Sequence, residues 1–139
     1  MSHKIIGKYI KCLDFKIPNP KTFFLLTKNI TNYRINIDIK SNRVKENIIE
    51  VVTSLILNPT KENFEKIEAK IEFATLIELP FNKLEKKIVE EIILIKVPTE
   101  VYSELRRIFI NLFESSGFKD VKVNEKVDFQ KLYSMRKVQ

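Results

Sequence analysis

The sequence predicts an α+β chain in which a four-stranded antiparallel sheet is followed by two main helices and a short C-terminal helix. Two observations carry that reading. Between Ile67 and Leu79 every odd-numbered residue except Ala69 and Thr75 is large and apolar, while Lys70, Glu72 and Glu78 fill even positions. Beyond Pro80 a three-to-four-residue rhythm takes over and lasts to Gly117. A strand shows one face to a core at period two and a helix does so at period 3.6. A sheet-forming half therefore precedes a helical half, with no cluster of polar residues at the junction.

The first strand is expected over Tyr9–Ile17, with Tyr9, Leu13, Phe15 and Ile17 on one parity, ended by Pro18-Asn19-Pro20. Thr22–Leu26 has no alternation and reads as either a short helix or a covered loop. Tyr33–Lys40 alternates well, with Tyr33, Ile35, Ile37 and Ile39 opposite Arg34, Asn36, Asp38 and Lys40. The polar run Ser41–Asn47 suits a hairpin connection. Ile48–Leu57 is β-branched and apolar on both parities, as in a strand covered on both sides. With a last strand over about residues 63–79, short connections predict an antiparallel meander.

In the second half, Leu84, Ile88 and Ile92 mark a helix over 82–96, with Asn82 and Glu85 spaced as a capping box. Val97-Pro98 is expected to interrupt it, because a proline disfavours helical geometry in the residue before it. The second helix runs to Ser116 on a stripe of Val101, Leu105, Ile108, Leu112 and Phe113. Gly117 stands where a left-handed C-cap belongs, with Phe118 folding back over the last turn. Val121, Val123 and Val127 suggest a short alternation, and Asp128 caps a final helix containing Phe129, Leu132 and Tyr133.

A length of 139 residues suits one domain over 1–139. The single cysteine, Cys12, fits a reducing compartment. No segment approaches the roughly 18 uninterrupted apolar residues of a membrane span, and charges break any leader-like run, so a cytoplasmic location is expected. The net charge of +7 is spread over both halves, and lysine supplies most of it. Diffuse lysine charge attracts polyanions without building a site, so specific nucleic-acid binding is not expected.

Catalysis needs a nucleophile and base, paired carboxylates or a metal. His3 is the only histidine and reads as a terminal surface residue, and Cys12 as a semi-buried apolar one. Glu90 and Glu91 are adjacent on a helix and diverge by about 100°. Glu68 and Glu72 share a strand face but stand about 13 Å apart. Arg106 and Arg107 read as a helix's polar side. No enzyme activity, cofactor or metal is expected. The apolar excess is the more informative feature. Phe23, Phe24, Leu25 and Leu26, with the two-sided strand 48–57, exceed what one sheet face covers, which points to oligomerisation or an apolar groove for a partner.

These segments resemble the SecB family of bacterial protein-export chaperones. The likeness begins at Tyr9-Ile10-Lys11, Leu13-Asp14-Phe15 and Pro18-Asn19-Pro20. It continues from Pro98 through Arg106 or Arg107, Ser116-Gly117-Phe118, Val127-Asp128-Phe129 and Leu132-Tyr133, covering about 125 residues. The resemblance implies an ATP-independent holdase that binds unfolded, non-native polypeptides and delivers them to the preprotein translocase motor. It also implies a homodimer or dimer of dimers. Client contacts are expected at Phe15, Phe23, Phe24, Leu25, Leu26, Ile49 and Val51. The protomer interface is expected at Tyr9, Leu13, Val101, Leu105, Ile108 and Leu112. The family is usually acidic on the sheet surface that meets the motor, whereas Lys66, Lys70, Glu68 and Glu72 mix charges here. That departure argues against motor binding and leaves, beside the holdase reading, the alternative of a dedicated chaperone or adaptor for one client, such as an antitoxin.

Overall fold

The computed structural model describes residues 3–28, 33–59, 67–80, 84–118 and 123–138. Along the chain they form β1 (Lys4–Lys16), α1 (Pro20–Lys28), β2 (Tyr33–Lys45), β3 (Ile48–Pro59), β4 (Glu68–Glu78), α2 (Lys86–Glu91), a π-helical segment (Ile92–Lys96), α3 (Val97–Ser115) and α4 (Phe129–Val138). The expected meander is only partly realised. The four strands form one antiparallel sheet in the order β1-β4-β3-β2. β2, β3 and β4 follow one another as hairpin neighbours, but β1 lies beside β4 rather than β2, giving a Greek key. The connection through α1 makes this possible, since it carries the chain across to the opposite edge.

β1 begins at Lys4, earlier than its alternation suggested, and its register with β4 shifts between Ile5 and Gly7 and between Ile10 and Cys12. Each shift inserts one residue, which turns the following side chains over. The parity shared by Tyr9, Leu13 and Phe15 in sequence is therefore broken in space. Leu13 and Phe15 pair with Ile71 and Ala69 on the helix-covered side, whereas Tyr9 pairs with Ala74 on the outer face. The β2–β3 turn tightens to Glu46-Asn47, because β2 runs on through the polar stretch as far as Lys45 while β3 begins at Ile48.

Asn19 caps α1: its Oδ1 accepts from the Thr22 amide at 2.8 Å and the Thr22 hydroxyl at 3.0 Å, and Pro20 opens the helix. Of the two open readings for Thr22–Leu26, the helix is the one found. The helix expected from Asn82 starts at Lys86 instead, after an extended Glu85 without a side-chain cap bond; Asn82 itself lies outside the described residues. Pro98 does not interrupt the helical run. Glu91, Ile92, Lys96 and Val97 all keep right-handed helical angles, so α2, the π segment and α3 run on as one rod. A proline inside a helix lacks a donor for the preceding turn and crowds its carbonyl; the wider π turn accommodates both. Thr99 helps by donating its hydroxyl to the Ile95 carbonyl at 2.6 Å.

The end of α3 matches its sequence signal. Gly117 has φ 95°, the Phe118 amide reaches the Phe113 carbonyl at 3.0 Å, and the Gly117 amide reaches that of Glu114 at 3.2 Å. These two bonds make a Schellman cap. Asp128 caps α4 through the Lys131 amide at 3.0 Å. Val123, expected in a short strand, is instead a buried residue outside any strand, and its carbonyl accepts from Arg106 Nε at 3.1 Å. Tyr102 holds the next residue by donating to the Asn124 carbonyl at 2.6 Å.

Helix-facing residues of the sheet meet the rod in two apolar clusters. The larger gathers Leu55, Ile71 and Phe73 with Val101, Leu105, Phe109 and Phe113, and Phe15 and Phe23 pack on it. The smaller gathers Ile49, Val51, Ile77 and Leu79 with Ile92 and Val97.

Candidate binding surfaces

Three surfaces remain once the core is assigned: the β1 edge, the outer sheet face and the β2 edge. Along β1, Ile6, Tyr9, Ile10 and Leu13 are each more than 40% exposed, an apolar strip on a strand without a second neighbour among the described residues. Such an edge offers both unpaired backbone groups and apolar area. Its N-terminal end is pinned to α3. His3 Nε2 lies 2.7 Å from Glu100 Oε1, and Lys8 pairs with Glu104, so the His3 side chain is packed against α3 and is not the open surface residue expected.

The outer face is organised around a residue that sequence reasoning passed over. Glu50 is the one charge within the apolar run Ile48–Leu57 and is 7% exposed. Its carboxylate accepts from Lys11 Nζ at 2.8 Å, from the Tyr9 hydroxyl, and from Asn42 Nδ2 at 3.2 Å. Residues of β1 and β2 thus meet on β3. Reach explains this: Tyr9 stands opposite Ala74, and so small a side chain lets the phenol pass over β4. The Lys11 hydrogen bond, then those of Tyr9 and Asn42, hold the Glu50 carboxyl at about 2, well below the usual carboxylate range. The same contact raises Lys11 and Tyr9. An isolated charge in an apolar strand was the signal that could have revealed the network.

A folded-state value below the unfolded one stabilises the fold above the unfolded carboxylate range. That contribution is lost as pH falls from about 4.5 toward about 2. Glu50→Gln is expected to lower stability by about 1–3 kcal/mol at neutral pH and to flatten this acid dependence. Urea titrations of both proteins at several pH values check it; parallel acid profiles would show that the carboxylate contributes nothing.

Elsewhere the outer face alternates in sign, with Lys70 3.8 Å from Glu72 and Lys40 4.0 Å from Asp38. Cys12 also lies on this face, opposite Glu72. Burial and the adjacent Asp14 push its thiol up, which makes it a poor nucleophile. Among the described residues no group of His, Cys, Asp or Glu is arranged to hold a metal, and no helix is long and apolar enough to cross a membrane.

The β2 edge is different because, among the described residues, two cavities border it. A cavity of about 840 Å³ is lined by Arg43, Glu46, Asn47, Leu79, Pro80, Leu84, Lys86, Val89, Glu90 and Ile93. A second, of about 590 Å³, is lined by Ile39, Lys40, Ser41, Asn42, Glu90, Ile93 and Leu94. Glu90 and Ile93 belong to both, so the two form one groove between the free strand edge and the first half of the rod. Tyr133 of α4 donates to Glu90 Oε1 at 2.9 Å, so α4 meets that shared wall through one hydrogen bond.

The residues singled out from sequence are distributed unevenly over these surfaces. Phe24 is 59% exposed on α1, whereas Phe23 is half-buried with its ring 4.7 Å from that of Phe118. Phe15 is half-buried against Phe113, at 5.1 Å. Leu25 and Leu26 lie within α1, and their side chains fall outside the described residues. Ile49 and Val51 are buried beneath the rod. Tyr9 and Leu13 are exposed, Ile108 and Leu112 are half-buried, and Val101 and Leu105 are fully buried. The last two face the sheet because the apolar stripe of α3 is the side that closes the chain's own core.

Comparison with known proteins agrees with this architecture. The family model described as preprotein translocase subunit SecB matches residues 1–139. A putative protein-export protein SecB of Pelagibacter ubique is 37% identical, with 97% of this chain and 96% of the relative covered. Protein-export protein SecB 1 of Gluconobacter oxydans is 25% identical over 95% of this chain and 80% of its own. Among solved structures, a SecB-like chaperone of Mycobacterium tuberculosis in complex with a ChAD peptide from an antitoxin is similar at a TM-score of 0.67. Its sequence identity is 13%, with 91% of this chain and 88% of that chain covered. With a family model spanning its whole length and a relative this similar, the chain belongs to the SecB family of protein-export chaperones.

Proposed function

We propose that this protein is an ATP-independent holdase that takes extended segments of non-native polypeptide along the β2 edge, and that it serves a dedicated client. The groove carries the reading: β2, a strand of 13 residues and roughly 43 Å with no second neighbour among the described residues, borders two joined cavities along Ile39–Arg43, with Ile93 and Leu94 in the facing wall. Such an edge supplies main-chain hydrogen bonds to any sequence, while the cavities accept alternate side chains. Phe24, exposed on α1, offers a further apolar side chain for client contact. The SecB-like chaperone solved with an antitoxin peptide supports a dedicated client, and the mixed charges of the outer face favour it over delivery to the translocase motor. Ile6, Tyr9, Ile10 and Leu13 support assembly of protomers through the β1 edge, in the cytoplasm.

The test is suppression of aggregation of two unrelated, slowly folding proteins without nucleotide, beside capture of bound polypeptides from the native cytoplasm. Suppression of both with many captured chains identifies a general holdase. One captured chain with weak suppression identifies a dedicated chaperone, and neither effect sinks the reading. Phe24→Ser is expected to weaken binding several-fold with an unchanged circular-dichroism spectrum; undiminished binding would remove α1 from the client surface.

A further inference from the structure

The rod formed by α2, the π segment and α3 rests on two apolar patches rather than one. Val101 belongs to the larger cluster and Val97 to the smaller, so the rod passes from one to the other within about a turn. On the sheet the seam falls at Thr53 and Thr75. Register places Thr53 opposite Phe73 of the larger cluster and Thr75 opposite Val51 of the smaller. Both threonines are fully buried, and neither hydroxyl has a hydrogen-bond partner among the described residues. An unsatisfied hydroxyl weakens packing where it lies.

The two halves of the rod are anchored unequally. α3 buries seven side chains, the π segment buries Ile92 alone, and α2 buries none and starts without a side-chain cap. Both cavities are lined by residues of the first half, and neither is lined by any residue of α3. The π turn and Pro98 stand between the halves, where the regular helical ladder is already broken. A segment with few buried contacts and voids beside it opens at lower cost than the rest of the fold.

We propose that residues 84–91 are a lid that swings about the π segment and Pro98 and uncovers a second client subsite floored by Ile49, Val51, Ile77 and Leu79. This rests on the proposed function and extends its groove inward. The ligand is an extended, uncharged polypeptide segment with aliphatic or aromatic side chains at alternate positions. The floor selects it: Ile49 and Val51 are two residues apart on one strand, about 6.8 Å, the spacing at which an extended client repeats side chains on one face. Ile77 lies directly opposite Ile49, and the four floor residues bear no charge. The lid thus covers two residues that sequence alone assigned to client binding and that the closed form keeps out of reach.

Hydrogen exchange on the full chain, with and without an unfolded client, tests this. Amides of 88–96 are expected to exchange on the order of a hundredfold faster than those of 101–113. Bound client should change their rate while leaving α3 unchanged. The double substitution Thr53→Val and Thr75→Val fills the seam with methyl groups of similar shape. It is expected to slow lid exchange and to weaken client binding, each roughly tenfold. Should that variant fail to fold, Pro98→Ala, which restores a donor to the rod, is expected to act in the same direction. Equal exchange rates in the two halves would overturn the hinge. Lid exchange that ignores a bound client would overturn the subsite. In either case a wild-type protein that still suppresses aggregation leaves the groove reading standing, whereas a protein that binds no client while its lid opens leaves the hinge and defeats the function.

Discussion

Phe113→Ala is expected to destabilise the protein by about 3–5 kcal/mol, lowering the melting temperature by roughly 10–17 °C. Phe113 is fully buried, and three other rings surround it: Phe15 at 5.1 Å, Phe109 at 5.1 Å and Phe118 at 5.8 Å. These belong to β1, to α3 and to the residue that closes the Schellman cap. Through Phe118 the stack extends to Phe23 of α1. Truncation therefore leaves a cavity that no single neighbour can fill, because each ring is fixed by a different element. Phe113→Leu keeps most of the volume and is expected to cost well under half as much. Thermal and urea denaturation followed by circular dichroism check both. A loss below about 1 kcal/mol for the alanine variant would mean that the ring stack is not what joins β1 and α1 to the helical layer.

One end of that stack was legible from residue order alone. Gly117 and Phe118 announced their cap because a left-handed position after an apolar stripe has few other uses, and Asp128 announced the start of α4 in the same local way. The alternation from Ile67 to Leu79 fixed which residues of β4 face the helices. Strand order was not legible, since a period identifies a face but never a partner, and β1 joins β4 only because α1 carries the chain over. The bulge near Lys11 set Tyr9 and Leu13 on opposite faces, a change that parity counting cannot register. Pro98 stood out in sequence as a break, yet tertiary packing kept Val97 and Val101 in one rod and turned the break into a π segment. The groove was the least visible feature: its walls come from residues 39–47, 79–80 and 84–94, which share no local pattern. Family resemblance drew attention to the helix before Gly117 as an interface, but the burial of Val101 and Leu105 commits that stripe to the chain's own core.

Placing a charge where the two cavities meet is expected to have the largest effect on binding. Ile93 lines both, and it lies three residues after Glu90, which shares the same wall. Ile93→Asp would set a second carboxylate one helical turn from the first, where an apolar client side chain must strip its water. Client affinity is expected to fall about 10- to 100-fold, equivalent to about 1.4–2.8 kcal/mol. The cost to folding should be smaller, because Ile93 is only half-buried and packs at the margin of the smaller cluster. Ile93→Met, which keeps the wall apolar, is expected to bind almost as well as the unmodified protein. Titration of a fluorescent extended peptide against both variants at constant ionic strength separates the effects. Loss with aspartate and retention with methionine locate the client on the β2 edge. Equal affinity for both would move the site elsewhere, with the exposed β1 strip next in line because Tyr9 and Leu13 present the other sizeable apolar edge.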